Sequence, residues 1–102
     1  MKTTSLKGIS GENYSFKVYD VDKKITDEIS AIYCFASPKK ILYVGQTINL
    51  QQRISNHEKL FNAKKLGCKY ILMMETPEED LNSVERDIVA YYNPQLNDYL
   101  KN

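Results

Sequence analysis

Apolar and polar residues change period several times along the chain, and each change predicts an element. From Leu6 to Val21 the pattern alternates at period two, with Tyr14, Phe16 and Val18 on one face, and Ser10-Gly11-Glu12-Asn13 interrupts it as a turn. Two short strands joined as a hairpin follow from that. Residues 22–30 are polar and charged apart from Ile25 and Ile29, and read as a connecting segment or one helical turn. Ala31–Ala36 is strand-like in its aromatic and β-branched content; Ser37-Pro38-Lys39-Lys40 is a turn, and Ile41-Leu42-Tyr43-Val44 returns as the partner strand of a second hairpin.

The period then lengthens. Asn49 is a good N-cap with Gln52 three residues on, Leu50, Ile54, His57 and Phe61 recur at helical spacing, and Gly67 supplies a C-cap, which predicts one helix over residues 50–66. Residues 69–75 read as another strand. Thr76-Pro77-Glu78-Glu79 then offers a Thr cap, a Pro at the first helical position and a Glu at the third. The second helix turns Leu81, Val84, Ile88 and Tyr92 inward and must end by Asn93, because Pro94 disfavours helical geometry in the residue before it. The expected fold is α+β: a small antiparallel sheet flanked by helices, with an extra N-terminal hairpin that extends the sheet. Residues 1–30 form that hairpin and a connector, and residues 31–102 form the main body of one domain.

Composition narrows this picture. Apolar residues make up 42% of 102, charged residues 26%, and the longest apolar runs are four or five residues, far short of the ~20 a spanning helix needs. No secretory pattern follows Met1-Lys2, so a cytoplasmic protein without a membrane partner is expected. Cys34 and Cys68 lack CxxC partners and are expected to be buried and reduced. Net charge is only +1, but residues 31–72 hold seven basic residues against Glu58 alone, whereas residues 73–102 hold seven acids against Arg86 and Lys101. The middle of the chain can therefore present a positive face; a solvated helix face plus a turn is the plainer account.

Three features stand out for chemistry. Tyr33 and Tyr43 lie on the paired strands of the second hairpin. Arg53 and His57 share a helix face at i and i+4, and Glu85 borders the face that the second helix buries. Taken singly, each has an ordinary explanation: phenols fill cores, a lone His on an apolar stripe is usually a satisfied core residue, and a carboxylate at a helix border pairs with a base. Together their order and separations resemble the GIY-YIG nuclease family. Ala31-Ile32-Tyr33, nine residues, then Tyr43-Val44-Gly45 resemble the two strands that name it. Gln46 to Arg53 resembles the family's helix entry, His57 stands where some restriction-type members have His, Glu85 resembles the metal-binding acid, and Pro94-Gln95-Leu96-Asn97 the closing element. Ala31 departs from the family glycine, and Gln46 stands where some repair-type members have Lys, which throws more of the phosphate binding onto Arg53.

The resemblance implies a metal-dependent endonuclease acting on nucleic acid, DNA first. Glu85 would hold one Mg²⁺ or Mn²⁺, and Arg53 would offer its planar fork to the phosphate. Tyr33, with His57 behind it, would be the general base, and Tyr43 would orient the water or bind phosphate, with the two tyrosines open to exchange. Asn97 would contact the site or pin the chain end. Lys39, Lys40, Lys59, Lys64 and Lys65, with Gln46, are the expected nucleic-acid contacts, and a protein partner or second copy would supply specificity. A noncatalytic module of the same fold, binding nucleic acid or protein, is the alternative. Glu75, Glu78, Glu79 and Asp80 cluster at a helix start, where they favour the helix dipole rather than a second metal.

Overall fold

The alternating stretch near the N-terminus folds as the hairpin its pattern predicts. In the computed structural model, which describes residues 2–97, β1 (Thr3–Lys7) and β2 (Asn13–Asp20) pair antiparallel, with Thr3 opposite Lys17 and Lys7 opposite Asn13. The second hairpin is β3 (Ala31–Ala36) and β4 (Ile41–Thr47), and β5 (Tyr70–Glu75) completes one sheet in the order β1-β2-β5-β3-β4, every neighbour antiparallel. The hairpin extends the sheet through β2, from Lys17 opposite Met73 to Asp20 opposite Tyr70. All six residues of β3 are buried, because it lies between β5 and β4 and is covered on both faces, which is why its sequence is a continuous apolar run. Residues 22–30 form a connector without regular structure. Its Asp27 and Ile29 carbonyls accept from Gln51 and Leu50 N–H, satisfying donors that the start of the next helix leaves open.

The helix expected over residues 50–66 is two helices, α1 (Leu50–Ser55) and α2 (Leu60–Lys65). Asn49 caps α1 as expected, its side chain accepting from Gln52 N–H, and Gly67, at φ +94°, ends α2 in the left-handed conformation. Between them the side chains of Ser55 and Asn56 bond back to the Gln51 and Gln52 carbonyls, and the His57 ring accepts from Lys59 N–H, so side chains replace the helical ladder. The break changes the helical phase. Ala63 now faces the core, and Phe61, expected inside, is 66% exposed.

The last helix, α3 (Leu81–Tyr92), follows a 3₁₀ turn at Glu78–Asp80 and ends on Asn93 at φ +46°. Thr76 is not its cap. Its hydroxyl donates to the Met74 carbonyl, and its backbone pairs with Ser30, N–H to carbonyl at 3.0 Å and carbonyl to hydroxyl at 2.6 Å. Pro77 accordingly precedes the 3₁₀ turn rather than opening the α-helix. Leu81, Ile88 and Val89 are buried and Val84 and Tyr92 partly so. The sheet thus separates two cores: Tyr33, Phe35, Leu42, Leu50, Ile71 and Met73 on the α1–α2 side, and Phe16, Ile32, Val44, Leu72, Ile88 and Val89 on the α3 side. Cys34 and Cys68 are buried free thiols, and among the described residues no helix is long and apolar enough to cross a membrane.

Candidate active site

The site is built on the free end of the edge strand β4. Tyr33 lies opposite Gly45 in the β3–β4 register, and its ring crosses the space a side chain would need there. A Cβ on Gly45 would stand 2.6 Å from Cζ and Oη of Tyr33 and 2.9 Å from a ring carbon of Tyr43. Only hydrogen fits, so the glycine of the second triplet is what lets the two phenols share one corner. Phe35 and His57 complete the cluster: His57 meets Tyr33, Tyr43 and Phe35 edge-on, with ring centroids 5.4, 5.0 and 4.8 Å away.

Both nitrogens of His57 are engaged. Nδ1 accepts from Lys59 N–H at 3.0 Å, and Nε2 lies 2.8 Å from Tyr33 Oη. Burial, with Arg53 close by, holds its pKa down at about 4, so the ring is neutral near pH 7. A neutral ring that accepts on Nδ1 carries its hydrogen on Nε2, which it donates to Tyr33 Oη. Burial pushes the Tyr33 phenol above its ordinary value and Tyr43 adds to this, while the Arg53 guanidinium pulls it down. Tyr43 is likewise raised by burial, lowered by Arg53 and Tyr33, and raised again by the charge of Glu85. Arg53 therefore acts on both phenols, and Glu85 on Tyr43. Arg53 and His57 do not share a helix as expected, since Arg53 sits in α1 and His57 in the break after it; the break is what turns the imidazole toward Tyr33.

Glu85 reaches this corner from α3, on the other side of the sheet. Gln46, one residue past Gly45, points to the α3 side by strand alternation, and its amide donates to Glu85 Oε1 at 2.6 Å and to Asn82 Oδ1 at 2.7 Å. Gln46, expected to touch nucleic acid, is thus bonded to the carboxylate helix and orients it. Asn97 pins the chain to β4, one of the two roles expected of it. Fully buried, it accepts from Val44 N–H at 3.0 Å and donates to the Val44 carbonyl at 2.8 Å, while Leu96 N–H reaches the Leu42 carbonyl. The chain end covers the open edge of β4 at Leu42 and Val44 and fixes the strand between Tyr43 and Gly45.

The expected basic contacts fall into two groups. Lys39 and Lys40 sit on the turn between β3 and β4, at the other end of the strand, with Lys40 Nζ donating to Gln95 at 3.2 Å. Lys59, Lys64 and Lys65 belong to α2 and its N-cap; Lys64 stands 3.9 Å from Asp22, and the Lys65 ammonium lies 4.8 Å from the Phe61 ring centroid. Two side chains at the site had no place in the sequence reading. Glu58 grips Arg53 with both oxygens, at 3.0 and 3.2 Å, and the guanidinium holds its carboxyl down at about 2. Its signal was being the one acid among seven basic residues, but its five-residue offset from Arg53 is no helical spacing. Asn82 stands three residues before Glu85, so helical spacing could have found it.

As a metal centre the corner offers one hard ligand, Glu85. Among the described residues no three or more His, Cys, Asp or Glu side chains are grouped to hold an ion. That donor set fits Mg²⁺, which keeps most of its waters and takes one or two carboxylates plus phosphate oxygens, and does not fit Zn²⁺.

Comparison with known proteins bears on the fold and the family. No curated protein sequence matches the chain at a significant level. Among solved structures, the GIY-YIG N-terminal endonuclease domain of UvrC from Thermotoga maritima, bound to magnesium as its catalytic divalent cation, is similar with a TM-score of 0.64 at 19% identity, over 72% of this chain and 89% of that one. A tyrosine-to-phenylalanine mutant of that domain, also bound to its catalytic divalent cation, gives a TM-score of 0.64 at 19% identity, over 72% and 88%. An asparagine-to-alanine mutant gives 0.62 at 18% identity, over 71% and 86%. These likenesses concern the fold. The family model of the GIY-YIG catalytic domain matches residues 29–95, both triplets and the Glu85 helix included, and the chain therefore belongs to the GIY-YIG family of nuclease domains.

Proposed function

We propose that this protein is a DNA endonuclease that hydrolyses phosphodiester bonds with a single divalent cation, Mg²⁺ or Mn²⁺, held by Glu85. The observation that carries the reading is the convergence of Tyr33, Tyr43, Arg53 and His57 from one side of the sheet with Glu85 from the other, at the C-terminal end of β4. When bound, the cation neutralises charge on the phosphoryl oxygens and assists the departing oxygen. Arg53 meets the phosphate with its planar fork, and to do so it leaves Glu58, whose two oxygens accept from that fork. Tyr33 takes the proton of the attacking water. The Nε2–H of His57 and the charge of Arg53 stabilise its phenolate, against the burial that disfavours it. Tyr43 orients the water or the phosphate, and Gln46 fixes the Glu85 carboxylate. Because the base must be ionised and burial raises its pKa, the cleavage rate rises with pH through neutrality and into the alkaline range.

The test is purified protein incubated with supercoiled plasmid and with labelled branched and single-stranded oligonucleotides, in Mg²⁺, Mn²⁺ or EDTA, beside Glu85→Ala and Arg53→Ala. Metal-dependent cutting, lowered at least about 100-fold in both variants, is expected. Cutting that survives EDTA or Glu85→Ala would remove the carboxylate from the mechanism, and a folded wild type that binds DNA and cuts nothing would favour the noncatalytic module.

A further inference from the structure

A cavity of about 650 Å³ opens on the α3 side of the sheet, at the end where the 37–40 turn joins β3 to β4. Its floor is apolar, from Leu6, Val18 and Leu72, and two half-buried rings, Tyr70 and Tyr92, stand in its walls. Lys2, Lys39 and Lys40 are on its lining, and none of its lining residues is acidic. The parts are fixed. Ser37 Oγ accepts from the N–H groups of Lys39 and Lys40 at 3.2 and 3.1 Å, Tyr92 Oη accepts from Lys7 N–H at 3.0 Å, and the Lys2 ammonium lies 5.9 Å from the Tyr70 ring centroid. Gln46, at the active site, stands five positions along β4 from Ile41, at this cavity, about 17 Å at the usual strand rise.

An apolar floor, aromatic walls and three lysines with no acid among the described lining residues match a nucleotide: a planar base for the rings, a phosphate for the lysines. We propose that the cavity takes an unpaired nucleotide of the substrate a few positions from the scissile bond, its base against Tyr70 and Tyr92 and its phosphate among Lys2, Lys39 and Lys40. The proposal rests on the reading of the protein as a nuclease on nucleic acid and deepens it. A base in a duplex is stacked on both faces and cannot enter a concave site unless it is turned out, so occupation here selects substrates with a single-stranded branch or end near the cut.

Isotope-labelled full-length protein, titrated in EDTA at low salt with tetrathymidylate, with dTMP and with inorganic phosphate, tests this by amide shifts. Saturable shifts at Ser37, Lys39, Lys40, residues 70–72, Tyr92, Asn93 and Gln95 are expected with tetrathymidylate and dTMP. Its Kd should rise about tenfold in the double variant Lys39→Ala, Lys40→Ala and in Tyr70→Leu, with the salt slope reduced by about 1.4 in the lysine variant. The double variant Lys23→Ala, Lys24→Ala, the same charge change elsewhere, should stay within about twofold. Phosphate matching dTMP in shifts and affinity would mean a plain anion site and overturn the base-binding claim. Shifts that follow protein concentration and not the probe would make this face a contact between copies, and overturn it too. Cutting of branched DNA at full rate in the lysine variant, with no shifts at the cavity, would sink the proposal while leaving the nuclease reading intact. Cavity shifts in a wild type that cuts nothing would support the cavity and count against that reading.

Discussion

The two faces of one sheet are organised differently. On the α3 face, Phe16, Ile32, Val44, Leu72, Ile88 and Val89 make a mainly aliphatic core, and its polar contacts lie at the rim, where Asp87 accepts from Ser10 N–H, Ser10 Oγ and Tyr14 Oη at 2.9, 2.6 and 2.6 Å. On the α1–α2 face four rings, Tyr33, Phe35, Tyr43 and His57, pack with centroids 4.8–6.1 Å apart, and buried polar atoms bond to one another inside the core. An aliphatic core tolerates repacking at constant volume; a ring cluster held by directional bonds does not. Mutations in the ring cluster of the second face should therefore cost activity out of proportion to stability, and mutations on the first the reverse, apart from Glu85 and its partner Gln46, which serve the site from that side.

Gly45→Ala is the sharpest way to break the ring cluster. Its methyl would stand 2.6 Å from the Tyr33 hydroxyl end, so the ring must move by the better part of an ångström or β4 must bend. A displacement of that size at a reacting group costs about 100-fold in kcat/KM, with destabilisation of about 1–3 kcal/mol. Steady-state cleavage beside denaturant unfolding checks both, and wild-type kinetics in this variant would mean that Tyr33 is not positioned as described.

Asp87→Ala sharpens the contrast from the other side. It unlatches the N-terminal hairpin from α3, where Ile9 N–H also reaches the Asp87 carbonyl and Gly8 packs so closely that no Cβ would fit against Asp87. The Ser10 and Tyr14 hydrogen bonds that hold this carboxyl below its usual range are lost. Thermal unfolding should shift down by several degrees, while kcat/KM stays within about threefold because Glu85 is held separately by Gln46.

The same contrast explains what could be read from the amino acids. The buried run of β3, the cap at Asn49, the end at Asn93 before Pro94 and the order of the triplets, Arg53 and Glu85 all follow from local chemistry or a fixed pattern, and all are where expected. What escaped is what tertiary partners decide. Residues 50–66 have one helical period, yet the chain breaks because His57 is worth more bonded to Tyr33 and to Lys59 N–H than in register; Phe61 is exposed as a result. Thr76 has the residue type of a cap but is claimed by Ser30 across the sheet end. Gln46 looked like a weak phosphate contact because its partner, Glu85, is 39 residues away.

His57 gives a smaller, pH-dependent effect. Its pKa is about 4 in the fold against 6.5 when exposed, so between those values the unfolded chain binds a proton that the folded one does not. Stability from this group is complete above pH 6.5 and falls as pH drops toward 4. His57→Gln lacks the titration, so the stability gap between wild type and variant should narrow by on the order of 2 kcal/mol from pH 7 to pH 4. A constant gap in unfolding curves across that range would mean that the imidazole is charged in the folded state.

The smallest expected effect concerns Glu58, and it separates the two functions of Arg53. Glu58 is exposed, with 65% of its side-chain surface in water, so its bidentate pair with Arg53 adds little to folding, and Glu58→Gln should leave the unfolding midpoint nearly unchanged. What the pair does is fill a fork that a phosphate must enter. With Gln in its place the guanidinium keeps a neutral neighbour and loses a competing charge, so oligonucleotide binding should tighten by about three- to tenfold at low salt and KM fall in step. If kcat falls as well, Glu58 also aims the guanidinium at the transition state; if kcat is unchanged, it only holds Arg53 until substrate arrives. Weaker binding in Glu58→Gln would show that Arg53 needs its carboxylate partner to face the phosphate, and the ring-cluster face would then depend on one exposed ion pair as closely as it does on Gly45.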